Sequence, residues 1–428
     1  MQRRQFFNRF AGVLAALFGP PFVQPENSTT GDAFIRNEAT VTDERFWSFV
    51  REQFPLTRDR IYLNTGGLGA SPHAVIEAAI SRLNEFEKIS ETGHSDQLWS
   101  NIKQKAAALL GCSAEELAYT RNATEGINIV CNGLPLKRGD EVITTTHEHV
   151  GNAVPWLARQ KRDGIMLKLF EPSTKSAPEN LDRIERLISK RTRVISVPHA
   201  TTTTGQILPV KKIAEIAKAR NIWFFIDGAQ TAGMLNFSLR EIDCDAYATC
   251  GHKWLLGPKG TGLLYVRKDM LDVIQPIEVG AYSDKSYDLQ TGELTFHPTA
   301  QRYEYGTVSA PLFVGLGAAI DFLMKIGMEN VWARDAALSR AFLNGLQEIP
   351  NTEILSPLDQ AERSAMITFK LKNMEYQKLQ SFLAEKYKLR TRGVSEAGLN
   401  ALRVSWHIYN SFEEVNRVLE GVRAAAKL

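Results

Sequence analysis

Short apolar runs alternate with amphipathic stretches through the middle of the chain, between residues 62 and 266. The clearest apolar runs lie at 141–145, 165–170, 193–197, 223–226 and 245–249. Runs of this length, separated by helical patterns, predict strands that alternate with helices. The pattern therefore indicates an α/β fold with a mostly parallel sheet, in which ligands bind beyond the carboxyl ends of the strands.

Helical periodicity supports this interpretation and extends it to the C-terminus. The stretch 211–220 places Ile213, Ile216 and Ala217 on one face, as expected of a helix that packs on the sheet. A long apolar helical pattern over 310–325 marks the passage to a second lobe, and the chain ends in an amphipathic helix that Ser411 and Glu414 begin with a capping box.

These patterns predict four segments. They are an export signal and linker at 1–30, an N-terminal arm at 31–60, a large cofactor-binding domain at 61–305, and a small α+β domain at 306–428. A chain of 428 residues exceeds the usual size of one core, so two packed lobes are expected.

Composition and charge limit the kinds of molecule that this protein is expected to bind. The chain carries 51 Lys and Arg against 48 Asp and Glu, with the charges scattered, so neither a nucleic-acid groove nor a stable membrane anchor is expected. A small metabolite is the expected partner. The four cysteines form no CxxC pair, which favours core cysteines over a zinc site or a disulfide framework.

Two charged residues at the ends of neighbouring apolar runs carry the predicted chemistry. Asp227 ends the run 223–226, and a buried carboxylate needs a cationic partner. Lys253 lies in a turn after the run 245–249, between Gly251 and Gly257. A carboxylate that faces a protonated pyridine nitrogen, together with a lysine that bonds to an aldehyde, predicts pyridoxal 5′-phosphate (PLP) as the cofactor.

The order of these motifs resembles the class V aminotransferase family of fold-type I PLP-dependent enzymes, in its branch that contains isopenicillin N epimerase-like and cysteine desulfurase-like proteins. The resemblance covers the chain from about residue 62 to the end. It implies a large lobe with a mostly parallel sheet flanked by helices, and a smaller α+β lobe at the C-terminus.

The resemblance also implies partners for the cofactor phosphate. Ala123 and Thr124 match the family's phosphate-binding pair, at a helix start whose free N–H groups and dipole favour an anion. A plain N-cap by Asn122 is the alternative, and both can hold at once. His252 matches a further phosphate contact, and Cys250 stands where many relatives have a serine.

Three other residues match family positions around the cofactor ring. Gln230 corresponds to the glutamine that binds the phenolate oxygen, Thr202 to a threonine near the same oxygen, and His149 to the histidine that stacks on the ring. His147 and His149 could instead chelate a metal from alternate positions of a strand, but no third ligand follows at a suitable spacing. No metal site is therefore predicted.

Two further motifs concern the partner subunit and the substrate. The segment 302–307 resembles one in which a threonine, here Thr307, reaches the phosphate of the neighbouring subunit, which implies a homodimer with sites at its interface. Arg403 matches the arginine that holds a substrate α-carboxylate, and Arg390 is a second candidate for that task.

The desulfurase branch requires a nucleophilic cysteine in the loop that follows the Arg-Thr pair. The loop 392–400 contains no cysteine, so ordinary cysteine desulfurase activity is not expected. We therefore expect an isopenicillin N epimerase-like or aminotransferase-like enzyme that acts at the α-carbon of an amino acid or of a residue in a peptide. The alternatives are a cysteine or selenocysteine lyase without the catalytic cysteine, and a PLP-fold binding protein without turnover.

The N-terminus predicts a location. Arg3 and Arg4, followed by 5–7 and a short apolar run at 11–18, resemble a twin-arginine export signal, which predicts a periplasmic protein. A basic tail on a cytoplasmic protein is the alternative. Because exported class V enzymes that tailor the peptide siderophore pyoverdine share this layout, such a role is a further alternative.

Overall fold

The computed structural model describes residues 43–90 and 96–428. Trp47–Leu428 form one compact unit. The predicted export signal and the part of the arm before residue 43 lie outside the described residues, and the predicted division at residue 305 stays a prediction. The helices are α1 Glu44–Glu52, α2 His73–Ile89, α3 Asp96–Leu110, α4 Ala123–Gly133, α5 Val150–Asp163, α6 Ala177–Leu187, α7 Val210–Ala219, α8 Leu239–Ile242, α9 Ala310–Ile326, α10 Met328–Gln347, α11 Tyr376–Tyr387 and α12 Phe412–Ala425.

A seven-stranded sheet forms the first core of the described fold. Its strands, in spatial order, are β2 Leu117–Thr120, β8 Gly262–Val266, β7 Ala246–Cys250, β6 Trp223–Asp227, β5 Thr192–Pro198, β3 Glu141–Thr145 and β4 Met166–Phe170. Every pairing from β7 to β4 is parallel, and β8 is antiparallel to both of its neighbours. The predicted mostly parallel sheet is confirmed, and each of the five predicted strands is present with ends shifted by one residue at most.

The fully buried faces of this sheet explain why its strands read as continuous apolar runs. β3, β6, β7 and β8 are buried along almost their whole length. Helices α4 and α7 cover the sheet, and α7 buries Ile213 and Ala217 from the face that the sequence predicts. Parallel strands that helices cover on both sides need no polar side chain until they end.

A four-stranded antiparallel sheet forms the second core. Its order is β11 Thr352–Ile354, β12 Met366–Leu371, β15 Ala401–Ser405 and β14 Arg392–Val394. Helix α12 packs on it through Val415, Val418 and Val422, and the predicted capping box of Ser411 with Glu414 is present. Arg403 of β15 donates a hydrogen bond to Thr202, which follows β5, so this sheet contacts the seven-stranded one.

Two small sheets complete the described fold. β1 Ile61–Tyr62 pairs in parallel with β13 Leu389–Arg390, so residues near the start of the described fold are joined to residues near its end. β9 Asp284–Asp288 and β10 Glu293–Phe296 form an exposed hairpin. All four cysteines are free and buried, as predicted for core cysteines.

A helix that crosses a bilayer must be both long and apolar. No single helix within 43–90 and 96–428 meets both criteria. α9 and α10 meet them only as a pair, and that pair is bent by 79°.

Candidate active site

A cavity of about 200 Å³ lies beyond the carboxyl ends of β6 and β7, at the N-terminus of α4. Eight of the predicted site residues line it, namely Ala123, Thr124, His149, Thr202, Asp227, Cys250, His252 and Lys253. Gln230, Arg403, Arg390 and Thr307 do not. Residues from several separate motifs therefore converge on one cavity, at the sheet edge where parallel sheets bind ligands.

Asp227 and Lys253 form the floor of this cavity. Asp227 is the last residue of β6, and its Oδ1 accepts a hydrogen bond from the amide of Ala229 at 3.0 Å. Burial raises the pKa of this carboxyl, and the nearby charge of Lys253 opposes that rise. The Lys253 amine is buried and donates no hydrogen bond to any residue in the described part of the chain. A pyridinium nitrogen and an aldehyde would give both groups the partners that they lack.

The N-terminus of α4 offers a place for the cofactor phosphate. The side chain of Asn122 accepts from the amide of Glu125 at 2.9 Å, so the predicted N-cap is present. The amides of Ala123 and Thr124, in the first turn, have no partner within the helix and line the cavity. His252 adds a buried Nδ1 that has no partner among the described residues. These donors fit a phosphate.

His149 is neutral and held at the entrance to helix α5. It caps the helix, and its Nδ1 accepts from the amide of Gly151 at 3.0 Å. Burial, and then the charge of Lys253, lowers its pKa to about 4. A neutral, fixed imidazole suits the predicted stacking role. His147 and His149 lie beyond the end of β3, not on alternate strand positions, and no group of three metal-binding side chains occurs within 43–90 and 96–428.

Glu148 is a buried carboxyl that sequence reasoning missed. Its oxygens accept from Thr144 Oγ1 at 3.0 Å, from Thr145 Oγ1 at 2.9 Å and from Asn152 Nδ2 at 2.8 Å. Burial raises its pKa to about 7. These bonds fix the turn that presents His149 to the cavity. Two threonines before this glutamate and an asparagine four residues after it are the signal that could have indicated the arrangement.

Gln230 and Thr202 connect the cavity to the C-terminal sheet. Gln230 Nε2 donates to Thr202 Oγ1 at 3.3 Å, and its oxygen accepts from the indole of Trp254 at 2.9 Å. Arg403 Nη1 donates to the same Thr202 hydroxyl at 2.9 Å and to the Thr202 carbonyl at 2.7 Å. The predicted ring contact Gln230 therefore contacts the cavity through Thr202.

Arg403 is a buried guanidinium without a carboxylate partner among the described residues. It lies on β15 with no solvent exposure, and its Nη2 donates to Asn64 Oδ1 at 3.2 Å. Burial, and then the charge of Arg392, lowers its pKa to about 9. Arg392 is its direct neighbour across the sheet and is already paired with Glu396. A substrate carboxylate would supply the counter-charge that Arg403 lacks.

Two predicted residues lie away from the cavity. Arg390 is exposed and belongs to β13, which pairs with β1, so it lines a separate cavity of about 670 Å³. The chain changes sheets at Thr391, and Arg392 lines the central cavity in its place. Thr307 is exposed and lines two outer cavities, one of which also contains Asn122 and His252.

A glycine-rich loop after β1 forms a wall that sequence reasoning also missed. A Cβ on Gly69 would lie 1.9 Å from the carbonyl oxygen of Lys253, and a Cβ on Gly66 would lie 2.8 Å from Arg403 Nη2. Only glycine permits such close backbone approach. The cluster Gly66, Gly67 and Gly69 after a short apolar run is the signal that could have found this loop.

Comparison with known proteins agrees with this arrangement. The sequence matches the family described as aminotransferase class-V over residues 61–418. It is 30% identical to a cysteine desulfurase of Serratia proteamaculans over 404 residues, which covers 89% of this chain and 98% of that protein.

Two solved structures are similar to most of this chain. The apo cysteine desulfurase from Thermococcus onnurineus NA1 has a TM-score of 0.80 at 26% identity and covers 89% of this chain and 98% of its own. The cystine C-S lyase C-DES, solved with cysteine persulfide, has a TM-score of 0.79 at 26% identity, with 87% and 99% covered. With its cavity, its lysine and these matches, the chain belongs to the class V aminotransferase family of fold-type I enzymes, whose cofactor is PLP.

Proposed function

We propose that this protein is a PLP-dependent enzyme that removes the α-proton of a free or peptide-linked amino acid. The observation that carries the proposal is the unpaired, buried guanidinium of Arg403, which lies on the same hydrogen-bond network as the cavity that contains Lys253. A carboxylate bound by Arg403 would place the amino acid beside the lysine. Bound PLP would supply an electron sink for the charge that remains on the α-carbon.

The side chains around the cavity have separable roles in this proposal. Lys253, once it is released from the cofactor, accepts the α-proton and can return it. Asp227 keeps a proton on the pyridine nitrogen, because a buried carboxylate stabilises an adjacent cation. The neutral ring of His149 covers one face of the cofactor without adding a charge that would compete with Lys253.

The fate of the α-carbon depends on the groups that surround it, and the loop 392–400 contributes no thiol to the cavity. Cys250 lies on the cavity floor, where its Sγ is 3.8 Å from the carbonyl of Ala229 and burial raises its pKa. The other three cysteines are buried elsewhere. This supports an enzyme that works without a protein persulfide, although the relatives compared above are named cysteine desulfurases and not epimerases.

The likeness to a cystine C-S lyase favours a second candidate, which is elimination across the α and β carbons of a cysteine-derived amino acid. The α-proton leaves to Lys253, the Cβ–S bond breaks, and sulfur departs with the bonding electrons as a thiolate or persulfide. Hydrolysis of the remaining enamine gives a 2-oxo acid and ammonia, so no oxidant is required.

The homodimer and the export route remain parts of the proposal. The exposed position of Thr307, beside an outer cavity that also contains His252, supports a role for Thr307 at the site of a second subunit. A periplasmic location, and with it a peptide siderophore as substrate, rests on the motif at Arg3 and Arg4.

The test is a product screen of the purified, PLP-loaded protein in deuterium oxide. D- and L-amino acids, L-cysteine and L-cystine are the substrates, and Lys253→Ala is the control. Deuterium at the α-position indicates epimerisation, pyridoxamine phosphate indicates transamination, pyruvate with ammonia indicates elimination, and alanine with sulfane sulfur indicates desulfuration. The absence of both α-proton exchange and all of these products with every substrate, in protein that holds PLP on Lys253, would refute the proposed function.

A further inference from the structure

A buried acid–base pair lies behind the lysine of the active site. Nδ1 of His407 is 2.8 Å from Oδ2 of Asp335, and neither side chain has solvent exposure. His407 follows β15, whereas Asp335 lies on helix α10. Neither residue lines the cavity, and no motif in the sequence marks them. Burial of two titratable groups without access to substrate is costly unless they have partners.

The second ring nitrogen of His407 contacts the residue next to the lysine. Its Nε2 is 3.2 Å from the carbonyl oxygen of Trp254, and the two rings pack edge to face with centroids 5.1 Å apart. A carbonyl oxygen can only accept a hydrogen bond, so Nε2 must carry a hydrogen. The proton of the pair then lies between Nδ1 and Asp335, and the neutral pair donates to the Trp254 carbonyl.

The turn from Lys253 to Leu256 contains a strained residue, so contacts from other elements are needed to hold its conformation. Leu256, three residues after Lys253, has a positive φ of 59°, which is unfavourable for a branched side chain. Gly233 packs so closely on this turn that a Cβ would lie 2.4 Å from the Trp254 oxygen. Among the described residues, His407 is the group that hydrogen-bonds to the Trp254 carbonyl.

Hydrogen bonds connect the indole of Trp254 to Arg403, the proposed substrate arginine. Its indole donates to Gln230 at 2.9 Å, Gln230 donates to Thr202 at 3.3 Å, and Arg403 donates to the same hydroxyl at 2.9 Å. Trp254 is thus fixed at its backbone by the pair and at its side chain by this network. Displacement of the tryptophan would move both the lysine and the arginine.

We propose that Asp335 and His407 are positioning residues that hold the Lys253–Trp254 turn, and with it the lysine amine, at the distance from the cofactor that the reaction requires. The proposal rests on the assignment of Lys253 as the cofactor lysine. It extends the site to helix α10, which contributes no residue to the cavity.

Two conservative substitutions separate the two hydrogen bonds of His407. In His407→Asn the amide can replace Nδ1 toward Asp335 but cannot reach the Trp254 carbonyl. In His407→Gln the amide can replace Nε2 toward that carbonyl, but its oxygen faces the Asp335 carboxylate. The double variant His407→Gln/Asp335→Asn restores a donor opposite that oxygen. Leu338→Ala, a fully buried residue on the same helix, is the control for loss of stability alone.

The measurement is the rate at which added PLP becomes trappable by borohydride on Lys253, located by peptide mass spectrometry, together with kcat and KM for the substrate from the screen. We expect His407→Asn to lower kcat by roughly a hundredfold and to slow trapping by about tenfold, because small displacements of reacting groups have large effects on rate. His407→Gln/Asp335→Asn keeps a donor to the Trp254 carbonyl and should therefore lose much less kcat and trapping rate than His407→Asn. Leu338→Ala should lower the melting temperature and leave trapping unchanged.

The outcomes distinguish this inference from the proposed function. If wild-type protein forms no adduct on Lys253, the proposed function itself is wrong. If wild type forms the adduct and His407→Asn forms it at the same rate with the same kcat, the positioning role is wrong. If Leu338→Ala and His407→Asn lost trapping rate and kcat to the same extent, the pair would contribute only to stability. That result would also overturn the inference.

Discussion

The two walls of the cavity differ in how they are built. The wall from the seven-stranded sheet presents Asp227 and Lys253 at or just beyond the ends of buried strands, and each lies within a few residues of the strand that positions it. The wall from the C-terminal sheet presents Arg392, and Arg403 lies beside Arg392 on β15 and reaches the cavity only through its bond to the distant Thr202. The first wall depends on local sequence, and the second on contacts between residues far apart in the chain.

This difference separates cofactor chemistry from substrate choice. A strand end followed by a glycine-flanked turn fixes a lysine whatever the substrate, because the geometry is set by the sheet. In the segment 392–400 Arg392 is the residue that lines the cavity, so changes elsewhere in this segment are expected to affect the substrate more than the cofactor. The missing thiol in the loop 392–400 is a change on this second wall alone.

The largest effect is expected at Lys253, on the cofactor wall. Lys253→Ala should abolish the visible absorbance of lysine-bound PLP and reduce activity by about 10²–10⁴-fold, since the proton-transfer group is removed. Lys268→Ala, at an exposed lysine, is the control and should change neither. A variant that kept the visible band would contradict the assignment of the lysine.

Asp227 should show the next largest effect. In Asp227→Asn the carboxylate that faces the pyridine nitrogen is lost, so the dissociation constant for PLP should rise by roughly 100-fold, which corresponds to about 3 kcal/mol. Fluorescence titration of the apoprotein with PLP measures this constant. Asp272→Asn, at an exposed aspartate, should bind PLP as wild type does. If Asp227→Asn and Asp272→Asn bound PLP with equal affinity, Asp227 would not be a cofactor-binding residue.

On the substrate wall the comparison rests on two arginines. Arg403→Gln should raise KM for a carboxylate substrate by about 10- to 100-fold, because a charged hydrogen-bond partner is lost, and should leave the visible PLP band unchanged. Arg390→Gln should leave both unchanged, since Arg390 is exposed and lines another cavity. A larger effect at Arg390 would reverse the assignment that the fold supports.

The smallest effect concerns stability and pH at Glu148. Burial raises the pKa of this carboxyl from an ordinary value near 4.5 to about 7. Between these values the folded protein keeps a proton that the unfolded chain has lost, so Glu148 makes stability fall as pH rises, by about 3 kcal/mol at most.

Glu148→Gln removes this contribution. Denaturant unfolding at about pH 5 and about pH 8 should therefore show a smaller decrease in unfolding free energy for the variant than for wild type. If the unfolding free energy decreased by the same amount in Glu148→Gln and in wild type, the Glu148 carboxyl would be ionised in the folded protein throughout this range, and the prediction would be wrong.

The sequence predicts the first wall well and the second only in part. Parallel strands that helices cover read as apolar runs, so Asp227 and Lys253 stand out where the runs end. The choice between Arg390 and Arg392 depends on where the chain passes from β13 to β14, and no local pattern marks that change. The Asp335–His407 pair joins residues 72 positions apart and has no local pattern either. Glu148 and the glycine-rich loop do have local signals, but those signals do not show which residues the side chains and backbone contact.

The parallel pairing of β1 with β13 has a consequence for biosynthesis. Because Ile61 meets Leu389, and Arg403 meets Asn64, the cavity cannot close until the ribosome has released nearly the whole chain. Such long-range pairing is slow to form, so parts of the chain that fold early remain incomplete until the C-terminal strands are available. Vitamin B6 capture is therefore expected to be a post-translational event, and a chain truncated before residue 389 should fail to retain the coenzyme.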